Sequence, residues 1–370
     1  FGGIAPRKGA RARTIAAVPT HDSTLISIAT DKELSGSSVG VLWKSKGRTT
    51  RTVGDLRRDL LERLYDQMLN QRFGELALKP ETPFVGAGAG GGSFVRNSEY
   101  YSLDAQAKEG RLLESLQSLL IEAERVRRHG FLAAELERAK TNTLRGYERA
   151  YQERDKTPSD AFVDEYIDHF LQGEAIPGIA FEYAAMQRLL PTVTLAEVNA
   201  LGAGRVGEAN RVVTVSLPEK DGLTVPTDAD IRALFGTVSA ATITPWVETV
   251  TAGALVATAP TAGRVVSETK TESLNLTKWT LSNGITVFVK PTDFTADQIV
   301  MTGWSPGGAS LVADRDLFKT SLATTVIEQH LKAAEAAVTA APNDAGAKAK
   351  MDAARAELAD FKLSEAKRYV

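Results

Sequence analysis

Apolar and polar positions fall into short runs at the start of the chain, and their period then lengthens. "TLISIATDKE" and "SVGVLWKSK" carry β-branched and apolar residues between polar or glycine-containing turns, which predicts two strands. At Thr52 the "TVGD" sequence offers a capping threonine with an acid three residues on, the signature of a helix start. Leu56, Leu60, Leu61, Leu64, Met68 and Leu69 then recur on one helical face. Around Pro80 this gives way to "TPFVGAGAGGGSFVRNSEYYSLDAQAK", read as strands with a glycine-rich stretch within or between them. Long helical patterns return through "GRLLESLQSLLIEAERVRR", "GFLAAELERAKTNTLRGYERAY" and "SDAFVDEYIDHFLQG". A second capping box, "TLAE", precedes one more apolar strand, "RVVTVSLP". Strands with helices gathered after them predict an α+β layered domain over residues 1–240.

From about residue 241 to 273 the composition shifts to Thr, Ala, Val, Pro and Gly, the character of a linker. A second domain then opens, residues 274–328: "WTLSNGITVFVK" is an Asn-Gly hairpin, "DQIVMTGW" reads as a third strand and "RDLFKTSLATTVIEQ" as a helix. Residues 329–370 are rich in Ala, Lys and Glu, and "APNDAG" breaks them into two helices. Met351, Ala354, Leu358 and Phe361 form a modest stripe, equally compatible with a helical hairpin docked on a core and with an unpacked tail.

The 370 residues carry a formal net charge of −2, which gives no electrostatic reason to expect a nucleic-acid partner. No run approaches the roughly 20 apolar residues of a membrane-spanning helix. The absence of cysteine removes disulfides, thiolate metal sites and cysteine nucleophiles together. It leaves the compartment open between cytoplasm and periplasm. The first residue is Phe1, and the expectation is an interior piece of a longer protein.

"LLERLYDQMLNQRFGEL", "GFLAAELERAK", the linker's "PTAGRVV" and the domain-opening "LSNGITVFVKPTDF…GWSPGGAS" occur in an order and spacing that resemble the insulinase/pitrilysin-like zinc peptidases, the inverzincins. The likeness spans about residues 1 to 328. It implies repeated α/β domains, each a sheet with helices on one side, with residues 1–240 as the second domain and 274–328 as the start of a degenerate third. That family's chemistry needs His-x-x-Glu-His on a helix, two imidazoles for one zinc with the Glu as general base. The spacing is absent here. His21, His129, His169 and His330 stand far apart, and "FKTSLATTVIEQ", at the place of the zinc helix in the third-domain copy, has no histidine. The resemblance therefore implies no catalytic residue and no metal ligand in this chain, with zinc held by a catalytic domain or subunit elsewhere. It also implies a peptide substrate and, from bacterial relatives, a periplasmic location, with the cytoplasm not excluded.

Three roles stay open: a non-catalytic segment forming chamber wall, a stand-alone inactive partner of a zinc-bearing subunit, and a structural module like the core subunits of respiratory complexes. Two local stretches invite chemistry. "DEYIDHF" gathers Asp164, Glu165, Asp168 and His169 with Glu174 five residues on, a metal cluster or an ordinary solvated helix face. His129 before Gly130 reads as a helix end, where its charge would favour the C-terminal dipole. "FVGAGAGGGSF" fails as a nucleotide loop, since no Lys-Ser/Thr follows. It reads either as a flexible hairpin or, by the resemblance, as an edge that binds peptide main chain through Phe84, Val85, Gly86, Ala87 and Gly88.

Overall fold

The computed structural model describes residues 16–248, 261–295, 298–304, 313–341 and 344–368, with Gly9, Thr258 and Leu311 singly. The chain divides into two compact units, Phe1–Ala296 and Asp297–Val370. In the first unit, strands β1 (Leu25–Asp31), β2 (Ser37–Lys46), β3 (Phe84–Val95), β4 (Ser98–Ala107) and β5 (Arg211–Pro218) form one five-stranded sheet in the order β1-β5-β2-β4-β3. β1 runs parallel to β5, and the other neighbours are antiparallel.

Helices α1 (Val53–Ala77), α2 (Leu112–His129), α3 (Ala133–Gln152), α5 (Ile179–Leu189), α6 (Leu195–Arg205) and α7 (Asp228–Ala240) surround one face of that sheet. α4 (Ser159–Gln172) buries none of its residues. The alternation along the strands decides which face is covered. Val39, Val41 and Trp43 of β2, Leu103 and Ala105 of β4, and Val213, Val215 and Leu217 of β5 all point into the core. There they meet Leu60, Leu64, Met68 and Leu69 of α1 and Leu116, Leu119 and Ala123 of α2. Most alternate positions, Ser38, Gly40, Ser102, Asp104, Gln106, Thr214 and Ser216, are small or polar and face the other way, with Leu42 and Val212 as apolar exceptions. This is the two-layer α+β arrangement expected, built because one face of the sheet is apolar and the other is mostly small or polar.

Thr52 caps α1 as its sequence requires: its hydroxyl accepts from the Asp55 N–H at 3.1 Å while Asp55 accepts from the Thr52 N–H at 3.0 Å. Thr194 and Thr227 close the same box at α6 and α7. The stretch expected as linker is not wholly irregular. It contains β6 (Val265–Thr271), which pairs with β7 (Leu276–Leu281), itself paired with β8 (Thr286–Val289). Every residue of β6 is exposed, so neither face carries the apolar alternation by which a strand is recognised.

In the second unit, the expected third strand at "DQIVMTGW" is not a strand. Residues 298–304 are irregular, with Ile299 90% and Trp304 86% exposed. Apolar β-branched residues satisfy the pattern, but a strand needs a partner for its main chain. α8 (Leu317–Ala340) runs unbroken through residues 328–329, and α9 (Ala345–Arg368) packs against it as a helical hairpin. Ala347 and Ala354 are buried, and Arg355 bonds Glu335 at 3.1 Å.

Candidate functional site

β3 is one of the two edge strands of the five-stranded sheet, and its middle is nearly bare of side chains. Its register with β4 places Gly86, Gly88 and Gly90 opposite Gln106, Asp104 and Ser102, on the uncovered face, and Ala87 and Ala89 opposite Ala105 and Leu103, on the core side. Gly86 and Gly90 have open space where a Cβ would stand, and Gly88 only the Asn70 Oδ1 at an ordinary 3.7 Å. None of the three has a positive φ. Gly91 and Gly92 differ, because a Cβ there would press on the Tyr100 carbonyl and ring at 3.1 and 3.3 Å.

A shallow trough of about 460 Å³ crosses the uncovered face over Gly86, Gly88, Asp104, Gln106, Gly40 and Thr214. Gly40 makes its floor: a Cβ there would collide with Asp104 Oδ1 and crowd the Thr214 hydroxyl at 3.2 Å. Asp104 accepts from the Ser102 hydroxyl at 2.6 Å and forms no ion pair among the described residues.

The five residues expected at this edge are thus distributed. Phe84 is fully buried, edge-to-face with Phe73 at 6.4 Å, so its ring is unavailable to a ligand. Val85 sits at a bulge between Phe84 and Gly86 and is exposed. Gly86 and Gly88 line the trough, and Ala87 lies between them with its methyl toward the core. The strand and its glycines were legible in the sequence. Asn70 of α1 was not, although its carboxamide bonds the main chain of Ala89 on the free edge.

The other candidates do not form a metal centre. Among the described residues no group of three His, Asp or Glu could hold a metal ion. His169 Nδ1 lies 2.6 Å from the Glu174 carbonyl, and Asp168 accepts from Gln172 at 3.0 Å. Burial, then the charges of Asp168, Asp59 and Glu165, raise the Glu174 carboxyl above its usual range. His129 does stand at the end of α2, and its Nε2 lies 2.7 Å from the Ile243 carbonyl. His21 Nδ1 lies 2.7 Å from the Ser23 carbonyl. These residues do not fit the zinc of the family's catalytic chemistry.

Two charge clusters stand behind the sheet, one buried and one half-buried. Arg72 holds Glu122 and Glu135 inside the core. Beside it, Asp66 of α1 meets Arg205 of α6 at 3.0 Å, and that guanidinium lies 4.9 Å from the ring centre of Tyr65 and 4.1 Å from that of Tyr101. Burial pushes the Tyr65 hydroxyl up to about 12 and the Asp66 carboxyl up to about 6, the latter against the pull of Arg205.

A two-layer α+β domain with one bare sheet face and no metal-binding cluster among its described residues is what the geometry defines. Comparison with known proteins places it further. No family profile matches the chain. It is 28% identical over 314 residues to a zinc protease PQQL-like protein of Arabidopsis thaliana, covering 84% of this chain and 29% of the plant protein. Its fold is similar to that of the periplasmic protease PqqL of Escherichia coli, with TM-score 0.61 and 17% identity over 78% of this chain and 32% of the protease. An insulinase family protease of Yersinia pestis is similar at TM-score 0.54 and 14% identity, over 65% of this chain and 51% of that one. In sequence the chain is thus similar to a zinc protease PQQL-like protein, and in fold to insulinase-family proteases. It spans about a third of the length of its plant and Escherichia coli relatives.

Proposed function

We propose that this chain is a non-catalytic segment of an insulinase-like zinc peptidase, with residues 1–240 as a second-domain-like module and 274–328 as the start of a degenerate third. In this reading the uncovered sheet face is chamber wall, and the β3 edge from Val85 to Gly88 receives an extended stretch of the peptide substrate. Zinc and the catalytic groups belong to a partner domain or subunit, and the compartment is the periplasm, as for the Escherichia coli relative.

One observation carries the proposal. Gly86, Gly88 and Gly90 are required neither by a positive φ nor by close packing, although glycine weakens a strand interior. A bare, exposed edge beside a trough suits a guest main chain, which would add itself as a further strand. Such pairing reads extension more than side-chain identity. It is weak alone, with Kd on the order of tens of micromolar or worse, because ordering a free peptide costs several kcal/mol.

The test is the double change Gly86→Val, Gly88→Val, with fluorescence anisotropy of a dye-labelled, unstructured Thr/Ser-rich peptide. Both positions have room for a Cβ, so the melting temperature should hold while the trough fills and peptide binding weakens. Absence of binding in the parent chain, or collapse of the fold in the double variant, would overturn the reading.

A further inference from the structure

The free edge of β3 is not free along its whole length. Asn70 Nδ2 donates to the Ala89 carbonyl at 2.8 Å, and the Ala89 N–H donates to Asn70 Oδ1 at 2.7 Å. In an antiparallel ladder, alternate residues turn both main-chain groups to one side. Ala89 turns its pair away from β4, and by the same alternation Ala87 and Gly91 present theirs to that edge. The Asn70 carboxamide supplies one donor and one acceptor to a single residue, which is what the opposing residue of a neighbouring strand would supply. A side chain from α1 therefore stands where a sixth strand would pair. It is an exposed residue, and its own amide groups would be satisfied by water if it swung away.

We infer that Asn70 is a displaceable stand-in for a guest strand. It protects the edge at Ala89 while no peptide is bound and yields to an extended peptide that takes over the same two hydrogen bonds. The inference rests on the proposed role of β3 as a peptide-receiving edge and adds two things to it: a residue that governs entry, and a condition on the substrate. The guest must offer a main-chain N–H and C=O at the residue opposite Ala89. Unmodified extended segments qualify, and segments with proline or an N-methylated residue at that position do not.

The sign of the effect follows from the competition. In the native chain a guest replaces two side-chain bonds at Ala89, and in an Asn70→Ala chain it replaces water. Each such bond is worth only a modest net amount, so removing the clamp should tighten peptide binding about fivefold. A role confined to stability or helix geometry would not produce tighter binding.

The experiment compares the parent chain, Asn70→Ala and Asn70→Asp by anisotropy of the same labelled Thr/Ser-rich peptide. Amide hydrogen exchange reads Ala89 in parallel. The Asp variant keeps the size of Asn and loses the donor, so it serves if the Ala variant folds poorly. Expected are faster exchange at Ala89 in Asn70→Ala, tighter binding by Asn70→Ala and by Asn70→Asp through the freed Ala89 carbonyl, and no gain for a peptide N-methylated along one edge. Parent-level or weaker binding by both variants, with a parent chain that does bind, overturns the stand-in role and leaves the peptide-binding edge intact. No binding by any of the three chains overturns both.

Discussion

Arg72 reaches both carboxylate oxygens of Glu135, from Nε at 2.7 Å and from Nη2 at 2.8 Å, in a core where Arg72 has no exposed surface. Its Nη1 bonds Glu122 at 3.0 Å, and its guanidinium lies 4.9 Å from the Phe131 ring centre. Glu122 keeps a second partner in Arg125 at 2.9 Å, whereas Glu135 has, among the described residues, only the Leu132 N–H besides Arg72. Removing one member of a buried ion cluster leaves an uncompensated charge, which costs about 3–5 kcal/mol. Arg72→Met should therefore lower stability by that amount in urea denaturation. Adding Glu135→Gln should recover more than half of it. A loss below about 1 kcal/mol for the single change would show that the cluster is not holding its charges by mutual pairing.

The same arginine faces the segment that leaves the domain. Trp246 lies over Arg72 at 5.0 Å and over Arg125 at 5.9 Å. Arg125 donates to the Thr244 carbonyl at 2.8 Å, and Arg128 to the Ala241 carbonyl at 2.7 Å. The chain after α7 is thus fastened along α2 before the Thr/Val-rich stretch begins. Trp246→Ala should release it, with a global loss of no more than about 2 kcal/mol from the cation–π contacts. Thermolysin cleavage near residues 241–248 should quicken well before the melting temperature falls. Equal protection of parent and variant would mean that the main-chain bonds hold the segment without the indole.

Local signals and long-range pairings were not equally legible in the sequence. The Thr52 capping box and the leucine period of α1 act within a few residues, so the helix could be read directly. The glycine run announced a strand. That this strand is an edge depends on β1 pairing with β5, with Leu25 against Val212, which no local pattern encodes. The Asn70 clamp escaped notice for the same reason: an asparagine among helix formers has no periodic signature. "DQIVMTGW" failed in the opposite sense, because its composition is right for a strand and residues 298–304 have no pairing. β6 failed because a strand exposed on both faces looks like linker.

Titration with zinc checks the expectation that the described residues form no metal site. His129 and His169 each place a ring nitrogen within 2.7 Å of a main-chain carbonyl, and no second histidine sits at helical spacing from either. Calorimetric titration of the chain with zinc should give only weak, scattered binding. One stoichiometric, sub-micromolar site would sink this expectation, and His169 with Asp168 and Glu174 would be the first residues to replace.

Asp66 makes the chain's stability depend on pH with a defined sign. Its Oδ1 lies 3.0 Å from Arg205 Nη1, a contact that favours the charged carboxylate, while burial and the neighbouring Glu62 favour the neutral acid. Burial is the larger effect and lifts the carboxyl from 3.8 to about 6. Between those values the folded chain holds a proton that the unfolded chain has released. Stability therefore falls as pH rises from about 4 to about 6, and the penalty is complete above it. A shift of that size corresponds to about 3 kcal/mol. Asp66→Asn keeps the shape of the protonated acid and cannot ionise, so it should match the parent chain near pH 4 and exceed it in stability at neutral pH. Urea denaturation of both chains across this range measures the gap. If the parent instead gains on Asp66→Asn as pH rises, the Arg205 ion pair outweighs burial and the carboxylate is a stabilising charge.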